Sequence, residues 1–458
     1  PFDIAADLDT PVSAYLKLRE LKPRFLLESV EGGERLARYS FIGFGEALEV
    51  FMDDGSLRIN GESRARPINR DEYLNALRDA LAAAPRPGPE VDGLPFTGGL
   101  VGVSGYDVVR LFERLPHDTE PQEHIPDAAF VAPASLLVFD HLTRRVALLH
   151  DGPEAERQIL RGDVMRLLRG GIPNGNGRAT TSKAEASLSE DEFCDRVEAC
   201  KEYIAAGDIY QIVISVMFRG RTDVSPFEVY RAMRLINPSP YMFFLEFGDL
   251  KVVGSSPEAL VKLHGRKATL RPIAGTLPRG ETTEEDVANE KALLADPKEA
   301  AEHVMLVDLA RNDLGRVATA GSVHVDPYRA IERYSHVMHI VSGVEGELAD
   351  DFDQFDLFAA SFPAGTLVGA PKVRAMEIIE EMENTGRGLY AGTAGYFGLS
   401  GDMDQAITIR TLVFSGDEYS FQAGAGIVAD SQPAKEYREV LAKSAILRRA
   451  LEIAGEGL

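Results

Sequence analysis

The sequence is poor in cysteine, and the little it has supports neither a cross-link nor a catalytic site. Cys194 and Cys200 are the only two cysteines among 458 residues, and they share one amphipathic helical pattern. Two cysteines cannot form a disulfide framework or a zinc site. Neither has a visible partner base or a sharp turn beside it, so we predict that both are packing residues.

Positive charge and long apolar runs are also scarce. The chain has 49 basic and 72 acidic residues and a net charge of −23, which argues against nucleic acid or an anionic membrane surface as a partner. An anionic ligand would have to be held by local positive groups or by a metal. No apolar run reaches membrane-spanning length and no signal peptide precedes the first strand, so we expect a cytoplasmic protein.

A stretch rich in glycine and asparagine divides the sequence into two segments. We predict an N-terminal lobe over residues 1–170, a linker over 171–188 and a second domain over 189–458. Short strands with hairpin-sized connections, interrupted by helices, favour an antiparallel α+β fold over a doubly wound one. Predicted strands include 24–30, 39–44, 48–52, 98–103, 209–219, 241–247, 250–254, 259–264 and 267–274. Predicted helices include 70–83, 284–294, 298–311, 371–383 and one from about 433.

Two Glu-x-x-Glu pairs are the first chemical signal. Glu299/Glu302 and Glu436/Glu439 lie in stretches with helical periodicity, and a three-residue spacing places both carboxylates of a pair on one helix face. Four carboxylates from two helices would repel one another unless a cation lay between them. A hard divalent ion such as Mg²⁺ takes oxygen ligands of this kind.

Spacing alone does not distinguish a metal site from solvated helix faces. Glu377/Glu380 repeats the spacing with nothing obvious to bind. Lys443 follows Glu439 by four residues on the same helical face, which is compatible with ligand binding and equally with an ordinary surface Glu–Lys pair. Both interpretations stay open on these residues.

Three further features are unusual for an apolar core: glycines within a strand, an arginine on a strand and a histidine on a strand. The predicted strand 421–427 contains glycines at 424 and 426, which allow a carboxylate or phosphate to approach backbone N–H groups. Arg410 falls on an alternating strand, where it indicates either an anionic ligand or an internal salt bridge. His339 lies on a strand beside valines, where a hydrogen-bonded core histidine and a catalytic one both fit.

A series of motifs, in order, resembles the chorismate-utilising enzymes, and within them the large subunits of the anthranilate-forming branch. The match is strong over residues 190–446 and looser over 10–150. The motifs are Ser255-Ser-Pro-Glu258, Arg271-Pro-Ile-Ala-Gly-Thr276, Ala301-Glu-His303, Asp308-Leu-Ala-Arg-Asn-Asp-Leu-Gly315, Arg333-Tyr-Ser-His-Val-Met-His339, Gly365-Thr-Leu-Val-Gly-Ala-Pro-Lys372, Tyr390, Ile409-Arg410 and Gln422-Ala-Gly-Ala-Gly426.

The resemblance implies two interwoven lobes, with antiparallel sheets packed between helical layers and chorismate bound by the domain 189–458. It implies that Glu302 and Glu439 are the principal Mg²⁺ ligands, supported by Glu299 and Glu436. The ion would hold the ring carboxylate of chorismate. The residues implied to bind the chorismate carboxylates are Tyr390, Arg410, Lys443 and the backbone of Gly424, Ala425 and Gly426.

The resemblance also implies the groups that transfer protons. Glu258 would protonate the leaving 4-hydroxyl, a task that needs a raised pKa in a secluded site. His339 would assist departure of the leaving group and proton transfer at the ring. Gly275, Thr276 and Thr366 match positions that contact the substrate.

Ala274 distinguishes the branches of the family. Relatives that form isochorismate, salicylate or aminodeoxychorismate place a Lys there, and an alanine can act neither as nucleophile nor as base. The resemblance therefore implies that ammonia adds at C2, and that loss of the C2 proton and pyruvate then gives anthranilate, the first committed step of tryptophan biosynthesis. Because no glutaminase motif is present, we expect a separate glutamine amidotransferase subunit. The alternatives are an enzyme that stops at 2-amino-2-deoxyisochorismate and a catalytically silent ligand-sensing subunit.

A second ligand site is implied by Leu26-Leu-Glu-Ser29 and Asn237-Pro-Ser-Pro-Tyr-Met242. These segments resemble the elements that bind tryptophan as a feedback inhibitor. The same segments are also compatible with plain core strands. The implied inhibitor-binding residues are Glu28, Ser29, Pro240, Tyr241 and Met242.

Overall fold

The computed structural model describes residues 2–5, 7–29, 38–53, 55–122, 124–173, 179–333 and 337–458. Part of the predicted linker (174–178) and part of the motif before His339 (334–336) lie outside the described residues. The helices are α1 (Pro11–Lys17), α2 (Arg70–Ala82), α3 (Glu154–Leu168), α4 (Glu190–Ala206), α5 (Pro226–Ile236), α6 (Thr283–Ala295), α7 (Pro297–Gly315), α8 (Gln354–Ser361), α9 (Gly365–Val368), α10 (Lys372–Met382) and α11 (Pro433–Glu456), with 3₁₀ turns at Leu18–Leu21 and Tyr106–Leu111.

The strands of the described residues are mostly short. They are β1 (Ile4–Ala5), β2 (Pro23–Glu28), β3 (Tyr39–Met52), β4 (Ser56–Ile59), β5 (Glu62–Ala65), β6 (Gly99–Ser104), β7 (Ala128–Asp140), β8 (Arg145–His150), β9 (Glu185–Ala186), β10 (Gln211–Arg221), β11 (Tyr241–Phe247), β12 (Leu250–Ser256), β13 (Ala259–His264), β14 (Lys267–Leu270), β15 (Ile273–Pro278), β16 (His324–Val325), β17 (Ala330–Arg333), β18 (Val337–Val341), β19 (Val344–Glu347), β20 (Gly369–Ala370), β21 (Thr393–Gly398), β22 (Met403–Ile407), β23 (Thr411–Ser415) and β24 (Glu418–Ile427).

Two antiparallel runs of strands share the long strands β3 and β7. One run follows the order β10, β24, β23, β12, β11, β2, and the other follows β6, β21, β22, β13, β14, β19. The first half of β3 pairs with β2, and the first half of β7 pairs with β6. The β3–β7 register shifts between Phe44 and Ala47, where Gly45 has a φ of +85°. Such a bulge bends the strand, so β3 can pass from one run to the other.

A buried apolar cluster between the two runs forms one layer of the core. It contains Phe25 and Phe243 from the first run and Val101 and Tyr396 from the second. Helices cover the outer faces: α11 packs on β24, α4 and α5, and α2 packs on α8. The pairing of β2 with β11 and of β6 with β21 joins strands from both sides of the predicted linker. The predicted interwoven α+β fold is confirmed, and the domain boundaries stay a prediction.

A separate three-stranded sheet carries part of the candidate site. Its order is β15, β18, β17, and α6 and α7 pack against β15. The β15–β18 register shifts between Ala274 and Thr276, because Gly275 adopts a φ of +68° that favours glycine. Asp296 caps α7 by accepting hydrogen bonds from the N–H groups of Lys298 and Glu299. This cap fixes the start of the helix that carries the first acidic pair.

Two strand predictions were wrong in detail. Residues 39–44 and 48–52 belong to one strand, β3, because the bulge at Gly45 bends the chain without ending it. Residues 267–274 are two strands, since β14 ends at Leu270 and β15 begins at Ile273, after Pro272. Proline lacks the N–H that a continuous ladder would need.

The two cysteines lie on one helix, and their burial can be compared with the predicted packing role. Cys200 is buried on α4, and burial raises its pKa to about 12, which confirms a packing role. Cys194 is half-buried on the same helix. In the described parts of the chain, no helix has both the length and the apolar character needed to cross a bilayer.

Candidate active site

Glu258 lies in the short segment between β12 and β13, and it is half-buried. Thr366 Oγ1 donates a hydrogen bond to Glu258 Oε1 at 2.9 Å. Burial raises the Glu258 pKa to about 7, while the Thr366 hydrogen bond and the charges of Arg410 and Lys443 oppose the rise. A carboxyl group with this pKa keeps a proton close to neutral pH and can act as a general acid.

Arg410 lies between β22 and β23, which corrects the prediction that it is part of a strand. The strand β22 ends at Ile407, and the Arg410 backbone has a left-handed φ of +51°. Its carbonyl accepts a hydrogen bond from Ser255 N at 3.1 Å. A non-glycine residue in this region is held there at a cost in free energy, and such residues cluster at functional sites.

The Arg410 guanidinium has no carboxylate within ion-pair distance among the described residues. Burial lowers its pKa, and Tyr390, Glu439 and Glu258 act in the opposite direction. The internal salt bridge that the sequence left open is therefore not formed within these residues. A guanidinium in this state can bind an added anion through its forked donors.

Lys443 joins helix α11 to the glycine segment of β24. Its Nζ donates a hydrogen bond to Gly424 O at 2.9 Å and forms an ion pair with Glu439 Oε1 at 2.6 Å. The Tyr390 hydroxyl lies 2.7 Å from the point where a Cβ on Gly424 would stand, so only glycine permits this approach. Burial raises the Tyr390 pKa to about 12, which keeps the hydroxyl protonated and able to donate.

The glycine segment of β24, which is Gly424-Ala425-Gly426, pairs with another strand on one side only among the described residues. Gly424, Ala425 and Gly426 pair with β10, whereas the pairing of β23 with β24 stops at Phe421 among the described residues. Ala425 is buried in the apolar core, so it can contribute only its backbone to a ligand. The use of these backbone groups to bind a ligand stays a prediction.

The two acidic pairs come within electrostatic reach of each other on α7 and α11. The Glu302 pKa is raised, first by burial and then by the charges of Glu299 and Glu439. Glu436 is buried one turn before Glu439. Within the described residues, however, no three His, Cys, Asp or Glu side chains lie close enough together to hold a metal ion. Carboxylate oxygens are the ligands that a hard cation prefers, so the donor set fits such an ion in its chemistry. In this structure, however, the carboxylates lie farther apart than in a closed metal site.

His339 on β18 faces the bulge of β15. Its Nδ1 lies 3.0 Å from Gly275 O and 3.0 Å from Thr276 Oγ1. A carbonyl oxygen only accepts hydrogen bonds, so this contact assigns the proton to Nδ1 and leaves Nε2 as the basic nitrogen. Burial lowers the His339 pKa, while the Gly275 hydrogen bond and Glu332 oppose the change. The imidazole is therefore neutral near pH 7.

The three-stranded sheet also approaches the first acidic pair. A Cβ on Gly275 would lie 3.0 Å from Glu299 Oε2, which places that carboxylate beside the bulge. Ala274 is buried at the neighbouring position and has no side-chain functional group. The charge of Glu439 on α11 acts on Glu302, and the charges of Arg410 and Lys443 act on Glu258. The structure thus brings the predicted catalytic, substrate and metal residues into one region.

The third acidic pair has an unexpected structural role. Arg110 Nη2 donates to Glu380 Oε1 at 2.5 Å, and Thr119 Oγ1 donates to Oε2 at 3.2 Å. Glu377 forms an ion pair with Arg374 at 2.8 Å. The prediction that this pair has nothing to bind was wrong: Glu377 pairs with a neighbour on its own helix, and the partners of Glu380 lie far away in the sequence.

Sequence reasoning did not single out a second buried ion pair, between Glu383 and Arg387. The two residues follow α10 at a spacing of four, and Arg387 Nη2 donates to Glu383 Oε1 at 2.7 Å. Arg387 is 2% exposed. A Glu and an Arg four residues apart are common on exposed helices, so the spacing gave no sign of burial; the neighbouring Tyr390 was the only available signal.

The predicted inhibitor residues line a different space, a cavity of about 1040 Å³. The lining includes all five of them: Glu28, Ser29, Pro240, Tyr241 and Met242. The Glu28 carboxylate already accepts hydrogen bonds from Tyr230 and from Arg234 Nε, and the Tyr241 hydroxyl donates to Asp404 at 3.0 Å. The cavity extends to Arg271 and Glu332, beside the sheet that carries His339.

Comparison with known proteins bears out the resemblance seen in the motifs. The family profile described as chorismate binding enzyme matches residues 22–449. Anthranilate synthase component 1 of Thermus thermophilus is 46% identical over 459 residues, which cover 99% of this chain and 97% of that protein.

Two solved structures extend the comparison to three dimensions. Anthranilate synthase component I from Streptococcus pneumoniae superposes with a TM-score of 0.82 at 34% identity, covering 97% of this chain and 99% of that chain. The menaquinone-specific isochorismate synthase of Escherichia coli has a TM-score of 0.71 at 20% identity, covering 97% and 92%. The second similarity shows the shared fold.

Proposed function

Since the chain belongs to the family of chorismate-binding enzymes, we propose that it converts chorismate and ammonia into anthranilate and pyruvate. The observation that carries the proposal is a Glu258 carboxyl group with a pKa of about 7 within electrostatic reach of two cations, Arg410 and Lys443. This combination suits a dianionic substrate that must receive a proton. The relatives named anthranilate synthase component 1, similar along nearly the whole chain, support the same reaction.

Binding uses the groups on one side of the site. Arg410 and Lys443 pair with the carboxylates of chorismate, and the protonated Tyr390 hydroxyl donates a further hydrogen bond. Lys443 now contacts Glu439 and would exchange that contact for the substrate. These fixed cations offset the negative charge of the protein as a whole.

The first chemical step replaces the 4-hydroxyl by an amino group at C2. Glu258 gives its proton to the hydroxyl oxygen as the C4–O bond breaks and water leaves, while the ammonia nitrogen forms a bond to C2 and the ring double bonds shift. The added nitrogen then loses one proton. Ala274 offers no functional group here, which supports an external nucleophile.

The second step forms the aromatic ring. The neutral His339 takes the C2 proton on Nε2, the C3–O bond breaks, and the enolpyruvyl group leaves to become pyruvate. The Gly275 carbonyl holds the imidazole in the tautomer that this step requires. A lowered His339 pKa keeps the nitrogen free of a proton before the step.

We also propose a Mg²⁺ ion held by Glu302 and Glu439, with Glu299 and Glu436 in support. The Glu302 pKa is raised first by burial and then by the charges of Glu299 and Glu439, and this concentration of negative charge supports a cation at this place. When bound, Mg²⁺ supplies positive charge that permits a substrate carboxylate to approach the acidic pairs. Closing of the carboxylates around the ion would accompany binding.

We propose that ammonia comes from a separate glutamine amidotransferase subunit. Glutamine hydrolysis of this kind uses an activated cysteine thiolate. Cys200 is buried with a pKa of about 12, and Cys194 is on the same helix, so neither supports that chemistry. Gel filtration of the chain with a candidate subunit, and glutamine-dependent turnover of the mixture, test this assignment.

We further propose that tryptophan inhibits the enzyme from the cavity lined by Glu28, Ser29 and Met242. Its position beside the sheet that carries His339 supports coupling to the active site. Ser29→Ala should weaken inhibition by about tenfold, because one hydrogen bond to a charged ligand group is lost, and the uninhibited rate should be kept. Unchanged inhibition would remove Ser29 from the inhibitor site.

One assay tests the main proposal. The purified chain is incubated with chorismate, Mg²⁺ and ammonium at alkaline pH, and anthranilate fluorescence and pyruvate are followed together. Equal amounts of both products are expected. An amino-cyclohexadiene product without pyruvate would replace the proposal by the enzyme that stops at 2-amino-2-deoxyisochorismate, and chorismate binding without turnover would indicate the ligand-sensing subunit.

A further inference from the structure

The Glu383–Arg387 ion pair has no part in the chemistry above, yet it lies directly behind the site. The Arg387 guanidinium donates to Glu383 from Nε at 3.0 Å and from Nη2 at 2.7 Å. It also donates from Nη1 to Leu367 O at 2.7 Å and from Nη2 to Val213 O at 2.8 Å. These hydrogen bonds satisfy the buried guanidinium. A buried ion pair is tolerated only when hydrogen bonds of this quality surround it.

The two backbone carbonyls that Arg387 contacts, those of Leu367 and Val213, belong to a segment that carries a site residue or pairs with one. Leu367 follows Thr366, the hydrogen-bond donor to Glu258. Val213 is the register partner of Gly426. Arg387 O accepts a hydrogen bond from Tyr390 N at 3.0 Å, and the guanidinium lies 5.6 Å from the centre of the Tyr390 ring.

Glu383 extends the same connection to the other end of the glycine segment. Its Oε1 accepts hydrogen bonds from Ser215 N at 2.8 Å and from Ser215 Oγ at 2.7 Å. Ser215 is the register partner of Gly424 and accepts a hydrogen bond from Gln422 Nε2 at 2.8 Å. One buried ion pair therefore contacts α9, the turn at Tyr390 and β10, the strand that pairs with β24.

We propose that the Glu383–Arg387 pair is a positioning device for the chorismate site, which sets the spacing between Thr366, Tyr390 and the glycine segment of β24. The inference rests on the proposed function in taking chorismate as the ligand. A planar guanidinium with fixed donors holds several acceptors in one geometry, which the single ammonium of a lysine does not. Small displacements of groups that orient a substrate have large effects on binding and rate.

The test compares Arg387→Lys with Arg110→Lys. Arg110 is bonded to Glu380, one turn before Glu383, and has no hydrogen bond to α9, β10 or Tyr390 among the described residues. For Arg387→Lys the KM for chorismate and the chorismate dissociation constant from calorimetry should both rise about tenfold, as expected for weakened hydrogen bonds to charged groups. Arg110→Lys should lower thermal stability and leave both constants unchanged.

A milder change keeps the test decisive if Arg387→Lys does not fold. Ser215→Ala removes the hydroxyl contacts with Glu383 and Gln422, and it should raise the same two constants about threefold, since no charge is lost. Constants within experimental error of the wild type in a folded Arg387→Lys, or in Ser215→Ala where the former is unfolded, would overturn the proposal. A wild type that binds chorismate without forming anthranilate would contradict the proposed reaction, and the calorimetric comparison would still decide the positioning role.

Discussion

Two groups of buried or half-buried carboxylates in this molecule differ in how completely they are matched by hydrogen-bond donors. Around helix α10, Glu380 accepts hydrogen bonds from a guanidinium, two backbone N–H groups and a hydroxyl, and Glu383 is matched as fully. In the candidate site, Glu258 accepts one side-chain hydrogen bond, and Glu302 faces other carboxylates. The pKa values of Glu258 and Glu302 are both raised, in each case first by burial.

The difference shows how the fold separates structural from functional acids. A matched carboxylate holds distant segments together, whereas an unmatched one reduces stability and is ready to take a proton or a cation. The spacing is the same in Glu299/Glu302 and Glu377/Glu380. What distinguishes the two pairs is the set of partners that the tertiary structure brings to them.

The largest expected effect is at the carboxyl group that supplies the proton. Glu258→Gln should lower kcat for anthranilate formation about 1000-fold, because the amide has no proton to give the leaving hydroxyl. Chorismate binding should be kept, as Arg410 and Lys443 remain. Single-turnover fluorescence and calorimetry measure the two quantities. A rate close to that of the wild type would assign the acid to another group.

The second prediction concerns the acidic pairs on α7 and α11. Glu439→Gln should lower Mg²⁺-dependent turnover about 100-fold, in the range found when metal-site groups are removed. Rates at increasing Mg²⁺ concentration provide the measurement. Near-normal rates at low Mg²⁺ would mean that the ion is held elsewhere.

The same region should respond to Mg²⁺ in its stability. The Glu302 pKa is raised in the fold, so the ionised carboxylate reduces stability above that pKa, and the loss disappears as the pH falls through it. Without metal, Glu302→Gln should therefore melt at or above the wild-type temperature at neutral pH. Added Mg²⁺ should raise the melting temperature of the wild type and leave that of the variant unchanged.

The pH dependence of kcat/KM gives a smaller effect that also concerns Glu258. Because Glu258 must be protonated and has a pKa of about 7, kcat/KM should fall about tenfold per unit above that value. Rates must be expressed per concentration of uncharged ammonia, which itself rises with pH. A profile that stays flat to pH 9 would contradict the assignment of Glu258 as the acid.

The sequence predicted local elements and chemical types better than it predicted partners. The amphipathic pattern around Cys194 and Cys200 predicted a helix, and α4 contains both residues. The antiparallel α+β class and the resemblance to a family were also predicted correctly. These features depend on neighbours in the chain or on motifs that are read directly.

What the sequence could not predict depends on contacts between distant segments. Arg410 alternates with apolar residues, yet the chain turns at Ile409 and places it in the left-handed region. Glu380 looked solvated because Arg110 and Thr119 precede it by more than 260 residues. Arg387 was overlooked for the same reason, since its side chain contacts α9 and β10, which lie elsewhere in the sequence.

The smallest effect on activity is expected at the best matched acid. Glu380→Gln removes the charge opposite Arg110 and should lower stability by about 2 kcal/mol, the usual loss for hydrogen bonds to a charged group. The KM and kcat for chorismate should stay within twofold of the wild type, because the residue ties α10 to the loop at Thr119 and, in the described parts of the chain, has no hydrogen bond to a site segment. Thermal unfolding and steady-state assays of the same preparation measure both. Lost activity in a stably folded Glu380→Gln would break the comparison, since a fully matched carboxylate would then share in the chemistry.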